Sequence, residues 1–183
     1  MKIDIALLRG INVSGHKLIK MSELIRQLTD ESCGFSNVTT YIQSGNVVFS
    51  STISNKESIK NNIENVLKNT FGFDVYTIVL SKEELYEAAK NHSYLAENAD
   101  NLKSIYYSFF DESLNQELVK DLHGLTQETE FFAIEKNVIY CFYPNGYGNS
   151  KWNNVFFEKK LKINCTTRNY NTVNKLIEIA NSK

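Results

Sequence analysis

The sequence predicts an α+β protein made of two successive βαββαβ halves. Three observations carry that prediction. Short β-rich runs alternate with stretches of helical period, and the order strand, helix, strand, strand, helix, strand is met twice. Each half also contains one hairpin signal, and the two signals lie about half a chain apart.

Residues 3–8 are a nearly continuous apolar run, the pattern of a buried strand. A polar, glycine-containing loop follows over 9–20. Leu24, Ile25 and Leu28 share one helical face, with Gly34 as the expected helix stop. Residues 38–42 and 47–49 are β-rich and flank Gln43-Ser44-Gly45-Asn46, a hairpin signal. Ile59, Ile63, Val66 and Leu67 give an amphipathic helix, and 75–80 closes the half as a strand. Ser81-Lys82-Glu83-Glu84 fits a capping box that opens a linking helix with Leu85, Ala88 and Ala89. Polar residues 91–101 then separate the halves.

The order repeats. Residues 104–110 are aromatic and strand-like. Ser113-Leu114-Asn115-Gln116 fits a second capping box, opening a helix with Leu114, Leu118 and Leu122. Residues 129–134 and 138–142 make a hairpin around Glu135-Lys136-Asn137. Ser150 is the expected cap of a helix holding Trp152, Val155 and Phe156. Residues 163–167 form a short strand, and Val173, Leu176, Ile177 and Ala180 mark a last helix. Tyr41 to Phe49 can be laid over Phe132 to Tyr140 without a gap, which sets Asn46 on Asn137 and supports duplication. The expected organisation is 1–81 as the first half, 82–102 as linking helix and connector, and 103–183 as the second half with an extra C-terminal helix.

A βαββαβ unit usually folds as an antiparallel sheet of order 4-1-3-2 with both helices on one face, the ferredoxin-like arrangement. Chain direction then places the loops. In the first half, the loop after strand one and the hairpin between strands two and three share one end. Arg9, Gly10, Asn12, Gln43, Ser44, Gly45 and Asn46 are thereby grouped, with Lys17 and Lys20 nearby. In the second half, residues 144–151 and 166–171 share the opposite end, grouping Lys151, Arg168 and Asn169 at two helix starts. Guanidinium, ammonium, amide and backbone N–H groups in this pattern suit an anion.

The remaining sequence bounds the function classes. The chain has 183 residues, 42% hydrophobic and 22% charged, with a formal charge of −1. That balance opposes coating nucleic acid by bulk charge. The N-terminus does not read as a signal peptide, and no apolar run reaches the length of a membrane span. Cys33, Cys141 and Cys165 form neither a disulfide framework nor a metal-ligand spacing. A cytoplasmic protein is expected, with no membrane, metal or cofactor. His16 and His92 are general-base candidates by residue type alone, and His123 reads as a helix-end residue. No catalytic set is identified, and whether the chain is an enzyme stays open.

Three segments together carry a family resemblance: Leu7-Leu8-Arg9-Gly10-Ile11-Asn12-Val13, Tyr41-Ile42-Gln43-Ser44-Gly45-Asn46-Val47-Val48-Phe49, and Thr166-Thr167-Arg168-Asn169-Tyr170-Asn171-Thr172-Val173. They resemble a largely bacterial family named only as domain of unknown function 1697. The resemblance implies a duplicated ferredoxin-like fold and no established activity. Its signature positions fall on Arg9, Gly10, Asn12, Gln43, Ser44, Gly45, Asn46, Lys151, Arg168 and Asn169. Ser14 stands where the family pattern has Gly, and Tyr170 where it has Trp.

Three functions follow in order. The first is binding, with or without turnover, of a phosphate- or carboxylate-bearing small molecule in a cleft between the halves. The second is a non-enzymatic interaction or oligomerisation module, for which a homodimer through an open sheet face or edge is one form. The third is RNA binding, which the missing basic-Gly-aromatic signature disfavours.

Overall fold

A computed structural model describes residues 1–122, 125 and 129–183. His123 lies outside the described residues. The chain divides into two compact units, residues 1–87 with 175–183, and residues 88–174.

The first unit contains β1 (Lys2–Leu8), α1 (Met21–Leu28), β2 (Phe35–Tyr41), β3 (Asn46–Ser51), α2 (Lys56–Phe71) and β4 (Thr77–Ser81). Its sheet is antiparallel with order β2-β3-β1-β4, the arrangement expected from the sequence. Side chains alternate across β1, so Ala6 and Leu8 join Val47, Phe49 and Val79 beneath Leu24, Leu28, Ile59, Ile63 and Leu67 of the two helices. Ile5, Leu7 and Val48 point the other way and are also buried. Burial of both faces explains why β1 is continuously apolar rather than alternating. Gly34 does not end α1, whose C-cap is Thr29; it ends a short 3₁₀ turn at Glu31–Cys33 with φ 72°. Lys183 donates to Asn37 O and to Thr39 Oγ1, which fastens the C-terminus to β2.

The capping box after β4 forms as expected at the start of α3 (Lys82–Lys90). Ser81 Oγ accepts from Glu84 N at 3.2 Å, and Glu84 Oε2 accepts from Ser81 N at 2.8 Å.

The second unit contains β5 (Ile105–Phe109), α4 (Gln116–Lys120), β6 (Phe131–Glu135), β7 (Val138–Phe142), α5 (Asn154–Leu161) and β8 (Thr166–Asn169). Its sheet order, β6-β7-β5-β8, repeats the first. The last helix, α6, is Tyr170–Asn181. Two expected caps are displaced. Asn115, not Ser113, caps α4 by accepting from Glu117 N at 2.9 Å, so Leu114 precedes the helix. Asn153, not Ser150, caps α5 by accepting from Phe156 N at 3.2 Å, and Trp152 is buried ahead of it.

The gapless overlay of the two hairpins is also corrected. Four residues, Ile42 to Gly45, join the paired Tyr41 and Asn46, whereas only Lys136 and Asn137 join Glu135 and Val138. Val47 faces the helices of its unit; in β7 the helix-facing residue is Ile139, while Val138 alternates to the other face. A one-residue slip exchanges faces throughout a strand, so Val47 matches Ile139 and not Val138. Matching bonds support this register: Leu8 N donates to Gly45 O, and Phe110 N donates to Asn137 O.

Candidate functional site

β1 ends where the β2–β3 turn begins, so the loop over 9–20 and the turn over 42–45 meet at one end of the first unit. We call this end the apex. Leu8 N bonds Gly45 O at 2.7 Å, and Arg9 N bonds Tyr76 O at 2.9 Å. The Asn12 carboxamide joins the two segments: Nδ2 donates to Gln43 O at 2.8 Å and to Ile19 O at 3.1 Å, and Oδ1 accepts from Ile19 N at 2.8 Å. Ile11 and Ile19 are buried in the core and anchor the loop from either side.

Between those anchors the chain makes a small hairpin. Asn12 N bonds Lys17 O at 3.1 Å, and His16 N bonds Val13 O at 2.9 Å. Ser14 and Gly15 occupy φ 49° and 77°, the two left-handed positions of a type I′ turn. Glycine at the first of these would be unstrained, so Ser14 carries strain there. The loop therefore stays tightly turned despite the departure at this position.

The residues grouped by the sequence divide by role. Gly45 is buried at φ 81°, and a Cβ there would lie 2.6 Å from Leu8 Cβ. Asn46 is buried, and its Nδ2 donates to Tyr41 O and Ser44 Oγ, both at 3.0 Å. Asn12, Gly45 and Asn46 thus build the apex. Gly10, at φ 66°, turns the chain out of β1. Lys20, Gln43 and Ser44 are exposed there, and Arg9 is half-buried. Lys20 is the N-cap of α1 and gives no side-chain cap bond. Lys17 Nζ reaches Asp74 O at 2.5 Å and lies 5.9 Å from the Phe73 ring centre, so it is already engaged. His16 is exposed on the small hairpin.

In the second unit, β7 and β8 both end beside the start of β5, which places residues 143–151 and Asn169 at that end. Arg168 is buried within β8, and Nη1 donates to Thr166 Oγ1 at 2.8 Å and Thr167 O at 2.9 Å. Burial lowers its pKa to about 10. Asn169 Oδ1 accepts from Thr172 N at 2.9 Å and caps α6. Lys151 is exposed, next to Ser150, whose hydroxyl donates to the buried Glu130 carboxylate at 2.8 Å. A polar chain runs close by: Thr167 Oγ1 meets Ser108 Oγ at 2.6 Å and Asn154 Oδ1 at 2.5 Å, and Asn154 N donates to Tyr147 OH at 3.1 Å.

The end of the second unit that corresponds to the apex holds a cavity of about 380 Å³ with Asp111, Glu112, Lys136 and Asn137 in its wall. Because Phe110 matches Leu8, Asp111 occupies the place of Arg9. The charge at this position is reversed between the repeats.

Sequence reading passed over two buried groups. The first is Asp4. It is buried in β1, Oδ2 has no hydrogen-bond partner among the described residues, and desolvation raises its pKa against the opposing pull of Lys56 and Lys2. An acid inside an apolar run was the available signal. Tyr107 OH is likewise buried without a hydrogen-bond partner among the described residues. His92 is buried against the rings of Tyr107 and Tyr140, at 4.8 and 5.1 Å between centres. Its Nδ1 accepts from Tyr94 N at 3.2 Å, so Nε2 carries the proton toward Tyr106 O, 3.1 Å away. Both nitrogens are used by the backbone. Among the described residues, no three His, Cys, Asp or Glu groups gather where they could hold a metal ion, and no helix is long and apolar enough to cross a membrane.

Fold and register together define a duplicated ferredoxin-like α+β protein with its polar loops gathered at strand ends. The family model for proteins of unknown function, DUF1697, matches residues 1–140, and the chain belongs to that family. It is also similar in fold to the conserved bacterial protein SP0830 from Streptococcus pneumoniae. The TM-score is 0.75, with 23% identity over 98% of each chain. Comparison with curated proteins gives no match.

Proposed function

We propose that the apex of the first unit binds the anionic group of a small phosphate- or carboxylate-bearing molecule. One observation carries this reading: Asn12 clamps two loops that are remote in sequence, so Arg9, Lys20, Gln43 and Ser44 share one end of one sheet. The start of α1 at Lys20 adds the positive end of a helix dipole, and the Lys20 side chain makes no cap bond there. Arg9 supplies a planar, permanently charged fork suited to either anion. In the second unit Arg168 bonds within its own strand and Asn169 caps a helix, so we assign those two a supporting part in the fold. RNA stacking on the second sheet is disfavoured because Tyr107, Phe109 and Tyr140 are buried.

The test is thermal unfolding in the presence of inorganic phosphate, pyrophosphate and citrate, each titrated at low salt. A ligand at about a hundredfold excess over its Kd stabilises by about 2.7 kcal/mol. For a chain of this size that raises Tm by about 5–10 °C. The Arg9→Ala/Lys20→Ala double variant is expected to lose the rise. A rise that survives in the double variant, or none with any anion, would refute the proposal.

A further inference from the structure

Three of the large apolar side chains exposed in this protein gather at the apex: Val13 (58% exposed), Leu18 (68%) and Ile42 (50%). Their proximity follows from one side chain. The Asn12 carboxamide bonds Ile19 N, Ile19 O and Gln43 O. Val13 follows Asn12, Leu18 precedes Ile19, and Ile42 precedes Gln43. Each exposed aliphatic residue is therefore the immediate neighbour of a group held by the same carboxamide.

The chain spends strain to hold them there. Ile42 sits at φ 49°, a left-handed conformation that β-branched residues avoid. Ser14 next to Val13 is also left-handed. Turn positions of this kind ordinarily take glycine or asparagine, and an exposed isoleucine gains nothing from the core. Apolar surface kept exposed at such a position marks a contact surface.

We infer that the apex takes an anion that carries an apolar chain, such as an alkyl or acyl phosphate or carboxylate, rather than a bare inorganic anion. The inference rests on the anion reading above and adds the second half of the ligand. The charged group meets Arg9 and Lys20, and the chain lies over Val13, Leu18 and Ile42. Removing a methylene from water completely corresponds to about a fourfold gain in affinity. On a surface that leaves part of the chain wet, a gain of about twofold per methylene is expected.

Isothermal titration with inorganic, butyl and hexyl phosphate, all below any micelle-forming concentration, tests this. Wild type is expected to bind hexyl phosphate more tightly than butyl phosphate by about fourfold, and butyl phosphate more tightly than inorganic phosphate. The Val13→Ser/Leu18→Ser variant, altered only at exposed positions and keeping Ile42, is expected to lose most of the difference in affinity between hexyl and inorganic phosphate. Equal affinity for the three ligands on wild type would overturn the apolar-chain inference while leaving the anion reading intact. Binding of none would remove both. Chain-length dependence that is undiminished in the double serine variant would place the chain elsewhere and overturn the assignment. Co-sedimentation with phosphatidylcholine vesicles containing phosphatidylserine, without binding of any soluble alkyl phosphate, would replace a free ligand with a lipid surface and overturn it too.

Discussion

At Gly45 two requirements meet in one residue. Its φ of 81° disfavours every side chain, and a Cβ would sit 2.6 Å from Leu8 Cβ and 3.0 Å from Ile11 Cδ1. The close atoms belong to a buried strand residue and a core anchor, so neither can move freely. Gly45→Ala is expected to destabilise the protein by about 2–4 kcal/mol, summing overpacking and backbone strain. Ile42, three residues earlier, offers the opposite change. At φ 49° it is exposed and strained, so Ile42→Asn is expected to stabilise by about 1 kcal/mol. Urea unfolding of the two variants checks both. An unchanged midpoint for Gly45→Ala would mean that the turn relaxes away from Leu8.

Elements were legible in the sequence where a local pattern sufficed. The Ser81 and Glu84 side chains form the reciprocal bonds their spacing called for, because a capping box is decided within four residues. Ser81→Ala is expected to cost about 1 kcal/mol, read as a lower urea midpoint with an unchanged slope. The misplaced caps have a common cause. Ser113 and Ser150 each stand a few residues before an asparagine that could cap equally well, and packing decided between them. Trp152 is drawn into the core, and Ser150 turns its hydroxyl to buried Glu130 while accepting from Trp152 N, which leaves Asn153 to start α5. The hairpin register was illegible for a different reason. Apolar residues line both faces of β3 and β7, so the alternation that would have revealed a one-residue slip is absent. At the apex, topology brought together the two loops that the structure joins. It could not separate Asn12, Gly45 and Asn46, which build the apex, from Arg9, Lys20, Gln43 and Ser44, which it presents. That distinction lies in burial and hydrogen bonding, which no spacing encodes.

For the molecule as a whole, two buried titratable groups set opposing slopes of stability with pH. The Asp4 carboxyl has a native pKa above its ordinary value of 3.8, because burial outweighs the attraction of Lys56 and Lys2. The native state therefore holds this proton more tightly than the unfolded chain, and stability falls as pH rises from about 3.8 through the native pKa. His92 works in reverse. Burial holds its pKa below 6.5, and Nδ1 already accepts from Tyr94 N, so a second ring proton would face a donor. Its contribution is complete above pH 6.5 and is lost as pH falls through the lower native pKa. The groups around the ring, Tyr94, Tyr107, Tyr140, Cys141 and Glu135, include one carboxylate, whose attraction is smaller than the desolvation. Replacing Asp4 by Asn keeps the shape and removes the buried charge. Asp4→Asn is accordingly expected to be more stable than wild type at pH 7, with the gap narrowing toward pH 4 as the native wild-type carboxyl takes up its proton. Urea unfolding of both proteins at the two pH values measures the gap. A gap that is equal at both, or absent at pH 7, would mean that the Asp4 carboxylate is compensated in solution and is not the source of the slope.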